Sequence, residues 1–200
     1  MRTPILCMAA MFLLAACNKM TDAAVNKVLS SGSSTPGFTE YIIHQGQQYC
    51  DKNDFKAVQV SEMTFTVKFD STAIYGTQSA ENQYDINKLY GFADNNTDHH
   101  QFSARFGWRW SDGALRLFAY VYNEGTVNSK ELTTVPIGPA INCAIKVAGS
   151  LYLFTVNGVT EAMPRLSTTA KGSGYQLYPY FGGDEAAPHD IHIWIKDNSK

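Results

Sequence analysis

Among its 200 residues the chain lacks most of what marks membrane-spanning, nucleic-acid-binding or nucleotide-dependent proteins. The one long apolar run, Ile5 to Ala16, is too short to cross a bilayer as an ordinary helix, which takes about 20 residues. No run of Lys and Arg occurs, and a net charge of −2 argues against nucleic acid as a partner. There is no Gly-x-Ser-x-Gly elbow, no glycine-rich phosphate loop and no His-Glu-x-x-His helix. No convincing long helical periodicity is found. Nor is there an internal period of about 20 to 50 residues, so repeat architectures are set aside. Cysteine is scarce, with four in all.

What the chain does have is a period of two. Gln101 to Asn123 reads QFSARFGWRW-SDG-ALRLFAYVYN. Phe102, Ala104, Phe106, Trp108 and Trp110 share one face of the first run, opposite Ser103, Arg105, Gly107 and Arg109. In the second run Leu115, Leu117, Ala119 and Val121 lie opposite Arg116, Phe118, Tyr120 and Tyr122. Alternation with this aromatic and β-branched content predicts strands. Asp112-Gly113 supplies the positive φ that a tight turn requires. The stretch is therefore a long antiparallel hairpin with one oily face and one face carrying Arg and Tyr.

Further strands are expected at Phe38–His44, Ser61–Asp70, Tyr84–Ala93, Leu132–Ile137, Ile141–Val147, Ser150–Val156, Val159–Ala162, Tyr175–Phe181 and Ile191–Ile195. Asn157-Gly158 is the strongest short hairpin signal. About ten short strands separated by turn signals point to an all-β sandwich or barrel, and the longer strands favour a jelly roll of two antiparallel sheets.

The N-terminus reads as a targeting segment. A short basic start is followed by the apolar run and by Leu14-Ala15-Ala16-Cys17, which resembles the lipobox of bacterial lipoproteins. The resemblance implies a signal peptide over 1–16, diacylglycerol on Cys17, and a stable membrane anchor of two or more acyl chains. Asn18 rather than Asp follows, which in that family favours the outer membrane. The alternative is an ordinary secretory signal with a chance cysteine. Residues 17–37, rich in Ser and Gly towards their end, would be a flexible tether, and 38–200 the folded domain. Tyr175-Gln-Leu-Tyr-Pro-Tyr-Phe-Gly-Gly-Asp184 and Ala187-Pro-His-Asp-Ile191 resemble the closing strands of concanavalin A-like jelly rolls in lipoproteins of Bacteroidota. That likeness extends from about residue 38 to the end and implies the same fold.

Candidate functional residues follow from chemistry. Cys50 and Cys143 are either a disulfide or two buried thiols, since Cys143 alternates with Ile141 and Ile145. Asp94, Asn96 and Asp98 place oxygen side chains as in the first half of a calcium loop. His99 and Arg105 stand where an EF-hand needs Gly and an acid, so an EF-hand is excluded. The alternative is an Asx-rich turn. No other cofactor is expected. His99 and His100, read as strand neighbours, would point to opposite sides and make poor joint ligands. Glu124, Asp184, Glu185 and Asp190 are the carboxylates considered for glycoside hydrolysis, but none sits in the Glu-x-Asp-x-x-Glu pattern of the related laminarinases. Lyases of this fold use His and Tyr beside cationic and amide groups that neutralise a uronate. By that resemblance Arg105, Arg109, Tyr120, Tyr122 and His189 are the catalytic candidates. Arg105, Arg109, Arg116, Tyr120 and Tyr122 are the ligand-binding ones.

The preferred reading is a lipid-anchored envelope protein that binds carbohydrate or another surface partner. A polysaccharide lyase or glycoside hydrolase is the alternative, and a structural lipoprotein without a small ligand a third. A concave groove holding a His–Tyr–Arg cluster would favour the lyase, and a shallow aromatic platform the binding module.

Overall fold

The computed structural model of the chain describes residues 36–199. The lipobox with Cys17, the expected signal peptide, Cys7 and all but the last two tether residues lie outside the described residues. Twelve strands are found among them: β1 (Thr39–Ile43), β2 (Ala57–Val60), β3 (Glu62–Phe69), β4 (Asn87–Ala93), β5 (Phe102–Ser111), β6 (Ala114–Asn123), β7 (Thr126–Val135), β8 (Ile141–Ala148), β9 (Leu151–Val156), β10 (Val159–Pro164), β11 (Gly172–Leu177) and β12 (Ile191–Asp197). They form two six-stranded sheets, β1-β12-β3-β8-β9-β10 and β2-β11-β4-β5-β6-β7. Neighbouring strands are antiparallel. The chain crosses repeatedly from one sheet to the other, so the last strand, β12, lies between β1 and β3. This is the jelly-roll β-sandwich that the strand pattern predicts.

The organising hairpin is β5–β6. Asp112 and Gly113 both take positive φ, 53° and 71°, and Ser111 pairs with Ala114. Ala104, Phe106 and Trp108 are fully buried against the opposite sheet, where Phe106 meets Phe65 and Phe154 edge-on. Trp110, expected inside, is only half-buried at the end of the strand. The strand predicted from Leu132 in fact starts at Thr126, after a second tight turn at Glu124-Gly125. β7 is an edge strand with little buried surface. Without a buried face there is no alternation to read. The segment expected to be a strand from Tyr84 starts as a 3-10 turn, Glu81–Tyr84, and pairs only from Asn87. The strand expected at Tyr175–Phe181 ends at Leu177 and begins earlier, at Gly172.

The outer face of the β2–β7 sheet is not open to water throughout. In β5 both faces are buried from Ser103 to Gly107. Two glycines permit this. A Cβ on Gly91 would run into the backbone of Ala104 and Arg105, so β4 approaches β5 closely where their register shifts. A Cβ on Gly107 would meet the Ile86 side chain, which lies over the sheet there.

Cys50 and Cys143 are both buried and both free, the second of the two alternatives that the sequence leaves open. Cys143 sits in the β8 row with Ile141 and Ile145, while the Cys50 thiol donates to the Lys52 carbonyl at 3.3 Å. Burial pushes the Cys50 thiol up to about 11, and it raises that of Cys143 as well. Both behave as small apolar core residues.

Trp108 packs between Phe69 and Tyr75, at ring-centroid distances of 5.5 and 5.8 Å. Trp108→Ala leaves a large void between the sheets. It is expected to lower unfolding free energy by about 3–5 kcal/mol in a urea titration. A loss below about 1 kcal/mol would place the indole outside the core.

Candidate functional site

A cleft of about 500 Å³ lies on the outer face of the β2–β7 sheet. Its floor is made by Lys88 from β4, Arg105 from β5, and Tyr120 and Tyr122 from β6. One wall comes from Tyr49 to Phe55, ahead of β2, and from Tyr178 to Tyr180, just after β11. The other holds His99, His100 and Tyr175. Cross-strand register explains the floor: Arg105 pairs with Tyr120, and Ser103 with Tyr122. Residues two apart on one strand share a face, so both tyrosines and the arginine point the same way.

Arg105 is only 6% exposed, and its Nε has no hydrogen-bond partner. The guanidinium lies 5.8 Å from the centroid of the Tyr120 ring. Lys88 Nζ sits 4.7 Å from the same centroid and donates to the Ile86 carbonyl at 2.6 Å. Among the described residues neither cation forms an ion pair. Burial, then the Arg105 charge, draws the Lys88 ammonium down to about 8, with Asp85 opposing. Burial draws the Arg105 guanidinium down to about 10, so it stays charged at neutral pH. A buried cation beside a half-buried one, neither ion-paired, is chemically suited to meet an anion.

His99 stands at the wall. Its Nδ1 is 2.8 Å from the Tyr175 hydroxyl, which also accepts the His99 backbone N–H at 3.1 Å. With Nδ1–H donating to the phenol oxygen, the Nε2 lone pair is left free. Burial, then Arg105 and His100, hold the His99 pKa below the ordinary histidine value, against Asp98. Burial, then Tyr122, raises the Tyr120 phenol to about 12, so it keeps its proton.

Asp94 holds this wall in place. Its carboxylate is fully buried and pairs with Arg165, Nε to Oδ2 at 2.9 Å. It also accepts from the Tyr152 hydroxyl at 2.6 Å, the Ser173 amide at 3.0 Å and the Asn95 amide at 2.7 Å. Asn95 and Asn96 take positive φ, 58° and 54°, turning the chain sharply before Asp98. Burial alone would raise the Asp94 pKa. The hydrogen bonds from Arg165, Tyr152 and Ser173 outweigh it, and the net shift is downward. Of the three residues considered for calcium, Asp94 turns its oxygens to protein donors, and Asn95 and Asn96 make the sharp turn that follows it.

Of the predicted site residues, Arg105, Tyr120 and Tyr122 come together in the cleft. Three others do not. Arg109 donates to the Tyr84 carbonyl at 2.7 Å and stacks on Phe118 away from the cleft. Arg116 pairs with Glu131 at 2.8 Å. His189 bonds the Thr72 carbonyl through Nε2 at 2.9 Å. Lys88, His99, Tyr175 and Tyr180 carry no joint signal in the sequence, because they come from three separate segments: β4, the turn before β5, and β11 with its continuation. His99 and His100 are not strand neighbours as expected: they lie in the turn before β5, with ring centroids 4.1 Å apart. The two asparagines of Asp94-Asn95-Asn96 were the available signal for that turn. The hydrolase carboxylates also lie elsewhere. Glu185 is bonded by Gln78 and Ser79, and Asp190 by Gln45.

No protein-family model matches the chain, and neither does any curated protein. Solved structures do resemble it. The alginate lyase AlyC3 matches with a TM-score of 0.51 and 11% identity, over 80% of this chain and 69% of that one. The catalytic domain of an endo-1,3-beta-glucanase (laminarinase) from Thermotoga petrophila matches with a TM-score of 0.50 and 11% identity, over 82% and 79%. At these identities the likeness establishes a fold, the concanavalin A-like jelly roll.

Asp94→Asn leaves Arg165 buried beside a neutral amide. Unfolding free energy is expected to fall by roughly 3–5 kcal/mol. Because the Asp94 pKa is lowered on folding, its contribution is present above the unfolded carboxylate value and lost as pH falls through the folded one. A urea titration across acidic pH should show this loss in the wild type and not in the variant. Equal stability of the two proteins at neutral pH would contradict the anchoring role.

Proposed function

We propose that the cleft binds a uronate-containing polysaccharide and cleaves it by β-elimination. The observation that carries this reading is buried Arg105 with half-buried Lys88, neither in an ion pair with a carboxylate, beside the His99–Tyr175 hydrogen bond. A uronate carboxylate set against two cations has its C5 proton made more acidic, because the developing negative charge is stabilised where it forms. His99 Nε2 takes that proton. The electron pair closes the C4=C5 double bond, the C4–O bond breaks, and the Tyr120 phenol donates its proton to the departing oxygen. Atoms and charge balance without an added reactant.

Hydrolysis is less well served. A glycosidase needs two carboxyl groups about 5–10 Å apart across the sugar. Asp54 is the one acid lining the cleft among the described residues. Exposed Tyr49 and Phe55 at the wall supply apolar faces on which sugar rings stack. They favour a second reading, a binding module without turnover. Localisation is part of the same proposal: Leu14-Ala15-Ala16-Cys17 supports a lipid anchor in the bacterial envelope, with the cleft turned to polysaccharide outside the cytoplasm.

The test is a panel of acidic polysaccharides, followed by the ultraviolet absorbance of unsaturated uronides. At least one is expected to give product, and Arg105→Gln to lower the rate about 10²–10³-fold. Binding without product would leave the module. Neither binding nor product from any polyuronate would overturn both readings.

Lys88 adds a pH dependence. The groups around it are Arg105, Asp85, Tyr120, Tyr180 and the His99 wall. Its ammonium titrates at about 8 in the free protein, so affinity for a uronate oligomer is expected to fall as pH rises through that value. Calorimetry should show the decline in the wild type and its absence in Lys88→Met. The same decline in both proteins would remove Lys88 from the site.

A further inference from the structure

We propose that Asp98, His99 and His100 form a binding site for a borderline transition-metal cation such as Zn²⁺ at the cleft wall, and that its occupancy silences the lyase. One ligand atom from each residue lies within 4.8 Å of the others. Asp98 Oδ1 is 3.3 Å from His100 Nδ1, and Asp98 Oδ2 is 3.7 Å from His99 Nδ1. Donors around tetrahedral Zn²⁺ stand about 3.3–3.4 Å apart when its bonds are 2.0–2.1 Å. Each imidazole nitrogen thus stands near that spacing from one of the two carboxylate oxygens, and all three residues offer ligand atoms within 4.8 Å of one another.

Adjacent residues meet here because they are in a turn, where the alternation of a strand does not apply. Two imidazoles and one carboxylate suit Zn²⁺, Cu²⁺ or Ni²⁺, whereas Ca²⁺ and Mg²⁺ favour oxygen ligands throughout. The side chains are open enough for entry, with His100 and Asp98 exposed by 62% and 60%. Three protein ligands leave the fourth position of a tetrahedral ion open to water.

The consequence for activity rests on the lyase reading. Coordination through His99 Nδ1 requires the other tautomer of the neutral ring: its one N–H proton leaves the hydrogen bond to Tyr175 and, by exchange with water, is carried on Nε2 instead. The lone pair that would accept the C5 proton is then gone. Metal binding and base function exclude one another in the same ring.

The first experiment uses no polysaccharide, so its outcome is separate from that of the lyase reading. The full chain is titrated with Zn²⁺ alone by calorimetry, alongside His100→Gln and Asp98→Asn, with circular dichroism confirming that each is folded. The wild type is expected to bind one equivalent more than either variant, or to bind it at least about tenfold more tightly. Identical titrations of all three proteins, or no Zn²⁺ uptake by the wild type, would overturn the site. The second experiment repeats the unsaturated-uronide assay with saturating Zn²⁺ and then with a chelator. Loss of rate restored by the chelator is expected. A rate unchanged by Zn²⁺ would overturn the silencing.

Discussion

Arg105 carries its charge on the floor of an aromatic cleft, almost wholly out of water, with Lys88 beside it and neither in an ion pair among the described residues. An isolated cation in such a place costs several kcal/mol of lost solvation. Much of the surrounding architecture bears on that cost. Tyr120 lies close to both cations and offers each the negative face of its ring. Gly91 lets β4 come close enough to set Lys88 near Arg105.

The contrast with Asp94 makes the point. It too is a buried charge, and it is answered in full by Arg165, Tyr152, Ser173 and Asn95. That network fixes the turn that bears His99 and His100. The molecule thus holds two kinds of ion on one sheet: Asp94, satisfied and securing a wall, and the cations Arg105 and Lys88, which face the cleft without an ion pair. The satisfied ion explains position. The unsatisfied pair points to an external ligand.

Much of the fold was legible in the chain. Strict alternation in Phe102 to Trp110 separated Trp108 from Arg105 and Arg109. The Asp-Gly and Asn-Gly turns set the two hairpins. Legibility failed where burial and pattern part company. β7 is exposed on both faces and shows no alternation. Periodicity put Arg105 and Arg109 on one face but carried no information about position along the strand. Four residues are enough to carry Arg109 out of the cleft and onto Phe118. The rest of the site comes from β4, the turn before β5 and the segment after β11, joined only by tertiary pairing. The Asp94 stretch offered oxygen ligands in sequence, and the fold committed the first of them to a buried arginine.

The central claim is that the cleft selects an anion. The most direct measurement compares two ligands that differ in that one respect: an acidic uronate oligosaccharide and the same oligosaccharide with its carboxylates reduced to alcohols, titrated against the protein at neutral pH. The account predicts measurable affinity for the acid and a loss of at least about tenfold for the alcohol, with Arg105→Gln reducing the difference between them. Equal affinity for the two oligosaccharides would contradict it.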